Sequence, residues 1–345
     1  MYKVGVFPGK FTPPHRGHIN AILQAGTQCE TLYVVVSHNQ KLEDKLYAGT
    51  KVKPISMIDK IRWLAIELQD FNHIKIIALD ETDIPVYPYG WEAWSRKLNL
   101  VMGMSFDVIF GGDVEYENEG YTKYFPGVQY ELYDSGRTIY PISATMIRND
   151  PFKYWDYILD VAKYYFSKKV LVVGTESCGK TTLTNMLSKI FNTSWAREEG
   201  RYYSTKYLGK NESVFKPEDF FNICIEQRQA EERALQHANK IVFFDTDAVI
   251  TQFYCELYLG ITNPKIETFV DKDRYDILLM LKPDVQWVDD GFRWNDDMET
   301  RVTLHNRLKQ MFIDRGFGDK IIEIGGNYNE RLNQAINVCN GILTH

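Results

Sequence analysis

The chain lacks any long apolar run. Its hydrophobic stretches, such as residues 277–281, fall far short of the ~20 residues needed to span a bilayer, so a membrane-embedded protein is excluded. It also lacks a leader: Met1-Tyr2-Lys3-Val4-Gly5-Val6 runs straight into a strand pattern, with none of the regions of a secretion signal, and the expected location is the cytoplasm. Cysteine is sparse and unpaired in pattern. Cys29, Cys178, Cys224, Cys255 and Cys339 are odd in number and form no C-x-x-C, which argues against a disulfide framework or a zinc site. Excess positive charge is missing too: the net charge is -6, so no broad basic field would hold a nucleic acid, and anionic ligands need local groups. Repeats, low-complexity tracts and Gly/Ser linkers are likewise absent.

What is present is a well-packed composition, 44% hydrophobic and 14% aromatic over 345 residues, with room for two cores. Short β-branched and aromatic runs at 3–7, 31–37, 74–79 and 107–110 alternate with helical periods at 18–27, 56–69 and 90–102. A second series has strands at 169–173, 241–245, 277–281 and 321–324, with helices at 180–191, 217–239, 247–259 and 300–315 between and around them. The pattern predicts an α/β chain of two doubly wound parallel-sheet domains, residues 1–166 and 167–345, joined through an aromatic helix over 151–166.

Each domain carries a phosphate signature. After the first strand come Gly9-Lys10-Phe11 and then His15-Arg16-Gly17-His18, where two imidazoles and free helix amides converge on one anion and Gly17 allows close backbone approach. Nucleotidyl transfer calls for donors already in place around developing negative charge, and neutral or protonated imidazoles serve where a carboxylate would not. A second element, Ile142-Ser143-Ala144-Thr145-Met146-Ile147-Arg148, puts two hydroxyls at a helix start and a cation one turn on.

The second signature is stronger. The strand 170–173 runs into Gly174-Thr175-Glu176-Ser177-Cys178-Gly179-Lys180-Thr181, followed by Thr182 and a helix. Its glycines let amides curl round a β-phosphate, Lys180 reaches the β- and γ-phosphates, and Thr181 offers its hydroxyl to Mg²⁺. An apolar strand ending in Asp245 supplies the carboxylate for the metal or the acceptor proton. Asp247 either contacts an acceptor ribose or caps the next helix. Residues 287–293 read as a lid, with Arg293 either closing on the phosphoryl group or solvated.

The combination of GKFTPPHRGH and ISATMIR resembles the nucleotidylyltransferases, and the G-K-F-x-P-x-H-x-G-H form is similar to nicotinamide mononucleotide (NMN) adenylyltransferases. That resemblance implies that Lys10, His15, His18, Ser143, Thr145 and Arg148 hold the triphosphate of ATP, with Gly111 and Asp113 near the adenosine. It also implies that Asp83 and Trp91 meet NMN, the indole stacking on the nicotinamide ring, although an interface-filling role for Trp91 stays open. Over nearly the whole chain, the ordered landmarks ISATMIRNDPFKYWDYI, GTESCGKTTL, FNTSWAREEGRYY, FFDTDAVITQFYCELYLG and WVDDGFR resemble NadR-type enzymes, which pair an NMN adenylyltransferase with a ribosylnicotinamide kinase.

The resemblance implies nicotinamide riboside, NMN, NAD and ATP as ligands and Mg²⁺ as cofactor. Trp195 would stack on the riboside, and Glu198 would contact the ribose or, as an alternative to Asp245, take the hydroxyl proton. Departures are Glu199 in place of an aromatic, and Met1 standing almost at the first strand without the helix-turn-helix domain some relatives carry, which argues against a repressor role. Two other readings stand beside the bifunctional enzyme. One is a kinase with a vestigial adenylyltransferase, the other a non-enzymatic NAD and ATP sensor linked to a riboside transporter. The sequence leaves the oligomeric state open, homo-oligomers included.

Overall fold

The computed structural model describes residues 1–85, 88–112, 120–134, 136–284 and 297–344. It divides into two compact units, Met1–Lys163 and Tyr164–His345.

The first unit is built on five parallel strands, β1 (Tyr2–Gly9), β2 (Cys29–His38), β3 (Ile74–Asp80), β4 (Val108–Gly111) and β5 (Gln129–Leu132), in the order β3-β2-β1-β4-β5. The strands are apolar on both faces because helices cover both. Val34 and Val36 of β2 face α1 (Arg16–Gly26) and α3 (Met57–Glu67), packing with Ile22 and Leu64; Val35 faces α4 (Trp91–Met102), packing with Leu98 and Met102. Chain order reverses between β1 and β4. A crevice therefore opens beyond the carboxyl ends of those strands, where the β1–α1 loop carries the first motif. Two short helices complete the parts used below, α2 (Gln40–Tyr47) and α5 (Ala144–Asn149).

The second unit repeats the architecture with β6 (Lys168–Val173), β7 (Trp195–Ala196), β8 (Ile241–Asp245), β9 (Ile277–Leu281) and β10 (Ile321–Ile324), parallel and ordered β10-β9-β6-β8-β7. One face is covered by α6 (Lys180–Ile190) and α11 (Tyr328–Thr344), with Leu183, Leu187 and Cys339 against Val170, Val172 and Leu279. Behind the other face lie α8 (Pro217–Gln236), α9 (Ala248–Leu259) and α10 (Met298–Asp314); α7 (Glu199–Tyr207) follows β7.

The expected fold class holds, and strands β8, β9 and β10 match the sequence bounds residue for residue. The expected helix over 151–166 does not form. Its apolar residues have helical spacing, but Ile158 pairs with His15 in an antiparallel bridge. Ile158 and Leu159 are extended, leaving two single-turn 3₁₀ segments and a four-residue helix. Burial of Phe152, Trp155, Ile158 and Leu159 explains the apolar pattern without a continuous helix.

Candidate active sites

His15 immediately precedes α1 in extended conformation, and its backbone N–H donates to His18 Nδ1 at 3.2 Å. The two rings stack with centroids 3.7 Å apart. Burial lowers the pKa of both, that of His18 to about 3, and for His15 the neighbouring His18 and Arg137 add to the effect. The pair is therefore neutral at physiological pH, the uncharged of the two forms expected. Gly17 owes its place to crowding: a Cβ there would stand 3.1 Å from the His15 ring and 3.2 Å from Ile142.

These groups line a cavity of about 570 Å³ together with Gly9, Lys10, Phe11, Gly111, Ser143, Thr145 and Arg148. Ser143 is the N-cap of α5, accepting from Met146 N at 3.2 Å. Arg148 is buried and donates once from each guanidinium nitrogen, to Thr12 O at 2.6 Å, Leu46 O at 3.1 Å and Thr145 Oγ1 at 3.1 Å. It thus ties the motif loop to α2 and α5 as well as lining the cavity. Trp91 also lines it while packing edge-on to Trp94 and Tyr121, so the interface-filling role does not take the residue out of the cavity. Asp83 has an exposed carboxylate that pairs with Lys97 at 2.6 Å and is not among the residues lining the cavity. Asp113 lies outside the described residues.

In the second unit Gly174 and Gly179 take φ of +154° and +82°, which lets the loop curl before α6. Thr175, Glu176, Ser177 and Cys178 form its turn, with the Cys178 side chain buried against Thr175 and Ser177 at φ +59°. Lys180 Nζ folds back onto Thr175 O at 3.1 Å. Thr181 Oγ1 donates to Asp245 Oδ2 at 2.5 Å, bringing together two residues 64 apart in sequence. Asp245 Oδ1 is buried with no partner, and burial and the nearby Glu198 raise this carboxyl to about 7 against the pull of Lys180.

Two cavities meet at this loop. One of about 560 Å³ is lined by Lys180, Thr181, Thr182, Trp195, Glu198 and Arg201. A narrower cleft of about 90 Å³ shares Ser177, Lys180, Glu198 and Arg201 and adds Phe215, Phe220, Tyr254 and Tyr258. Trp195 thus stands in the wider cavity and not among the aromatic side chains of the cleft. Of the two readings of Asp247, the structure forms the helix cap. The residue lines neither cavity and is the buried N-cap of α9, accepting from Val249 N at 3.1 Å and Ile250 N at 3.2 Å. Arg293 and the expected lid lie outside the described residues. Among those described, no group of three or more metal-binding side chains occurs, and no helix is long and apolar enough to cross a membrane.

The profile of a family described as an AAA domain matches residues 169–331. A curated relative from Escherichia coli K12, named trifunctional NAD biosynthesis/regulator protein NadR, is 34% identical over 312 residues, covering 89% of this chain and 76% of its own length. The chain belongs to the NadR family. A crystal structure of NadR protein in complex with NR superposes with a TM-score of 0.82 at 28% identity, over 98% of this chain and 95% of the other. A second, of NadR in complex with NAD and AMP-PNP, has the same TM-score of 0.82 at 27% identity and covers 100% and 97%.

In this NadR-family chain several lining residues escaped the motifs. Tyr130, Tyr133 and Arg137 enter the first cavity from β5 and the loop after it, and Asn20 donates to the Tyr133 hydroxyl. That loop is wound around Asp134, which accepts from Thr138, Ile139 and Tyr140. Lys60, wholly buried, pairs with Glu43 at 2.8 Å and donates to Lys10 O at 3.2 Å, fixing the loop that bears Lys10 from beneath. No spacing signal marks these residues, since each acts across elements distant in sequence. Tyr254 and Tyr258 were legible only as one turn of an apolar helix.

Proposed function

We propose that the second unit, residues 164–345, phosphorylates the 5′-hydroxyl of nicotinamide riboside with ATP to give NMN and ADP. The first unit, residues 1–163, then has the NMN phosphate attack the α-phosphorus of a second ATP, giving NAD and pyrophosphate. The observation carrying this reading is that both phosphate cradles are formed in a chain whose full length matches a protein solved with NR and with NAD and AMP-PNP.

In adenylyl transfer, the neutral His15 and His18, with Lys10 and the α5 amides capped by Ser143, hold the triphosphate and meet the charge developing on the departing pyrophosphate. Trp91 and the tyrosines of the same cavity offer flat faces to the nicotinamide ring. In the kinase, the loop 174–181 wraps the β-phosphate and Lys180 swings from Thr175 O to the transferring group. Thr181 and the unpartnered Oδ1 of Asp245 fit Mg²⁺, which when bound neutralises phosphate charge. Glu198 and Asp245 are the candidates for the hydroxyl proton. Ring stacking on the riboside falls to the tyrosines of the cleft, with Trp195 beside the wider cavity. With all five cysteines buried and free, we place this chemistry in the reducing cytoplasm.

The test assays each step in the two single-site variants. His18→Ala should abolish pyrophosphate release from NMN and ATP while sparing ADP formation from nicotinamide riboside; Lys180→Ala should do the reverse. Absence of pyrophosphate release by the wild type would leave a kinase with a vestigial partner. Absence of both activities in the wild type would favour a sensor, and with it the link to a riboside transporter, and full turnover by a variant would remove its residue from the step assigned to it.

A further inference from the structure

Hydroxyls inside helices normally bond back to the carbonyl one turn earlier. Thr205 does so on the same helix, donating to Arg201 O at 2.9 Å, as do Thr184 to Lys180 O at 2.8 Å and Thr251 to Asp247 O at 3.1 Å. Ser204 does not. Its Oγ is buried with no hydrogen-bond partner, the residue is 2% exposed, and it lines the narrow aromatic cleft beside the phosphate loop. A buried hydroxyl left unpaired is destabilising, so a ligand that satisfies it gains a bond the free protein does not have.

Position along α7 says which part of a ligand this is. Glu198, just ahead of the helix, lies within electrostatic reach of Asp245 and marks the end of the cleft where phosphoryl transfer takes place. Six residues of helix carry Ser204 about 9 Å further along, a span comparable to a riboside from its hydroxymethyl to the far side of its base. Tyr254, Tyr258 and Phe220 line the same cleft and suit a flat ring. A serine hydroxyl both donates and accepts, matching an amide, which does the same.

We propose that Ser204 is a specificity residue of the kinase site, hydrogen-bonding the ring carboxamide of the pyridinium riboside. The inference rests on the kinase reading above and adds the residue that recognises the ring substituent. It is tested with the full chain and two acceptors, nicotinamide riboside and the pyridinium riboside that lacks the carboxamide. Ser204→Ala should raise KM for nicotinamide riboside roughly 3- to 10-fold with kcat and the KM for ATP unchanged, the size of one neutral hydrogen bond. It should leave the unsubstituted riboside unaffected. It should also melt no lower than wild type in the absence of ligand, since Ser204 Oγ has no partner to lose. An equal loss on both ribosides, or no loss on either, overturns the assignment. A wild-type protein that phosphorylates neither riboside refutes the kinase reading itself and takes this inference with it.

Discussion

Asp245 is held in a state that opposes stability, and replacing it should expose the conflict. Burial at the end of β8, with Glu198 nearby, pushes its carboxyl up to about 7 from an ordinary 3.8. A carboxyl raised in the folded state favours folding fully below its unfolded value, and that contribution is lost as pH rises through the folded value. Between pH 3.8 and 7 the native protein therefore becomes progressively less stable, by at most about 4 kcal/mol for a shift of roughly three units. Asp245→Asn removes the ionisation and keeps an oxygen to accept from Thr181. Its advantage over wild type should grow from pH 5 to pH 8, reaching on the order of 10 °C in the melting of the second unit.

The same variant should lose kinase turnover by at least about 100-fold, because the carboxylate that faces metal and acceptor is gone. A ligand at 100 times its Kd adds about 2.7 kcal/mol to the protein that binds it, so Mg-ATP should narrow the gap at pH 8 and reverse the order of stability at pH 5, where the wild type has lost only about 1.6 kcal/mol. Thermal melting of both proteins at pH 5 and 8, with and without Mg-ATP, reads every term. If Asp245→Asn melts at or below wild type at pH 8, or if the difference is the same at both pH values, the buried charge is not the source of the instability.

Gly17→Ala should lower adenylyl transfer at least about 10-fold by displacing the His15 ring, with riboside phosphorylation intact; pyrophosphate release reads it. Lys60→Met should destabilise the first unit by about 3 kcal/mol by leaving the buried Glu43 with only His38 beside it, and Lys60→Met with Glu43→Gln should recover most of that in urea unfolding. Asp247→Ala should lose about 1 kcal/mol with the α9 cap while KM for the riboside stays unchanged, and Asp247→Asn should keep the cap; a riboside KM that rises in both would return Asp247 to the acceptor site.

The fold was legible where one element carries its own signal. Strands that are apolar throughout, such as 277–281, or apolar up to a terminal Asp, such as 241–245, need no neighbour to be recognised, because burial on both faces removes the polar positions within them. The 151–166 segment misled for the complementary reason. Its aromatic spacing is helical, yet what fixes its backbone is a bridge from Ile158 to His15, more than 140 residues earlier. The strand Trp195–Ala196 is only two residues long, and its pairing with Phe243 and Phe244 exists only in three dimensions.

Sites divide along the same line. The motif residues His15, His18, Lys180 and Thr181 were legible because each phosphate cradle is a strand, a loop and a helix start in continuous sequence. The groups that surround each substrate are not continuous. Arg137 and Tyr133 reach the first cavity from beyond β5, while Ser204, Phe220 and Tyr254 reach the cleft from three different helices. Phosphate chemistry is local because backbone amides supply much of it, and amides come in sequence order. Recognition of a ring and its substituent needs side chains from several directions, so it is written in the packing. Two carboxylates illustrate this. Asp83 was read as an acceptor contact from the resemblance and Asp247 as either an acceptor contact or a helix cap, and packing pairs the first with Lys97 and sets the second at the start of α9.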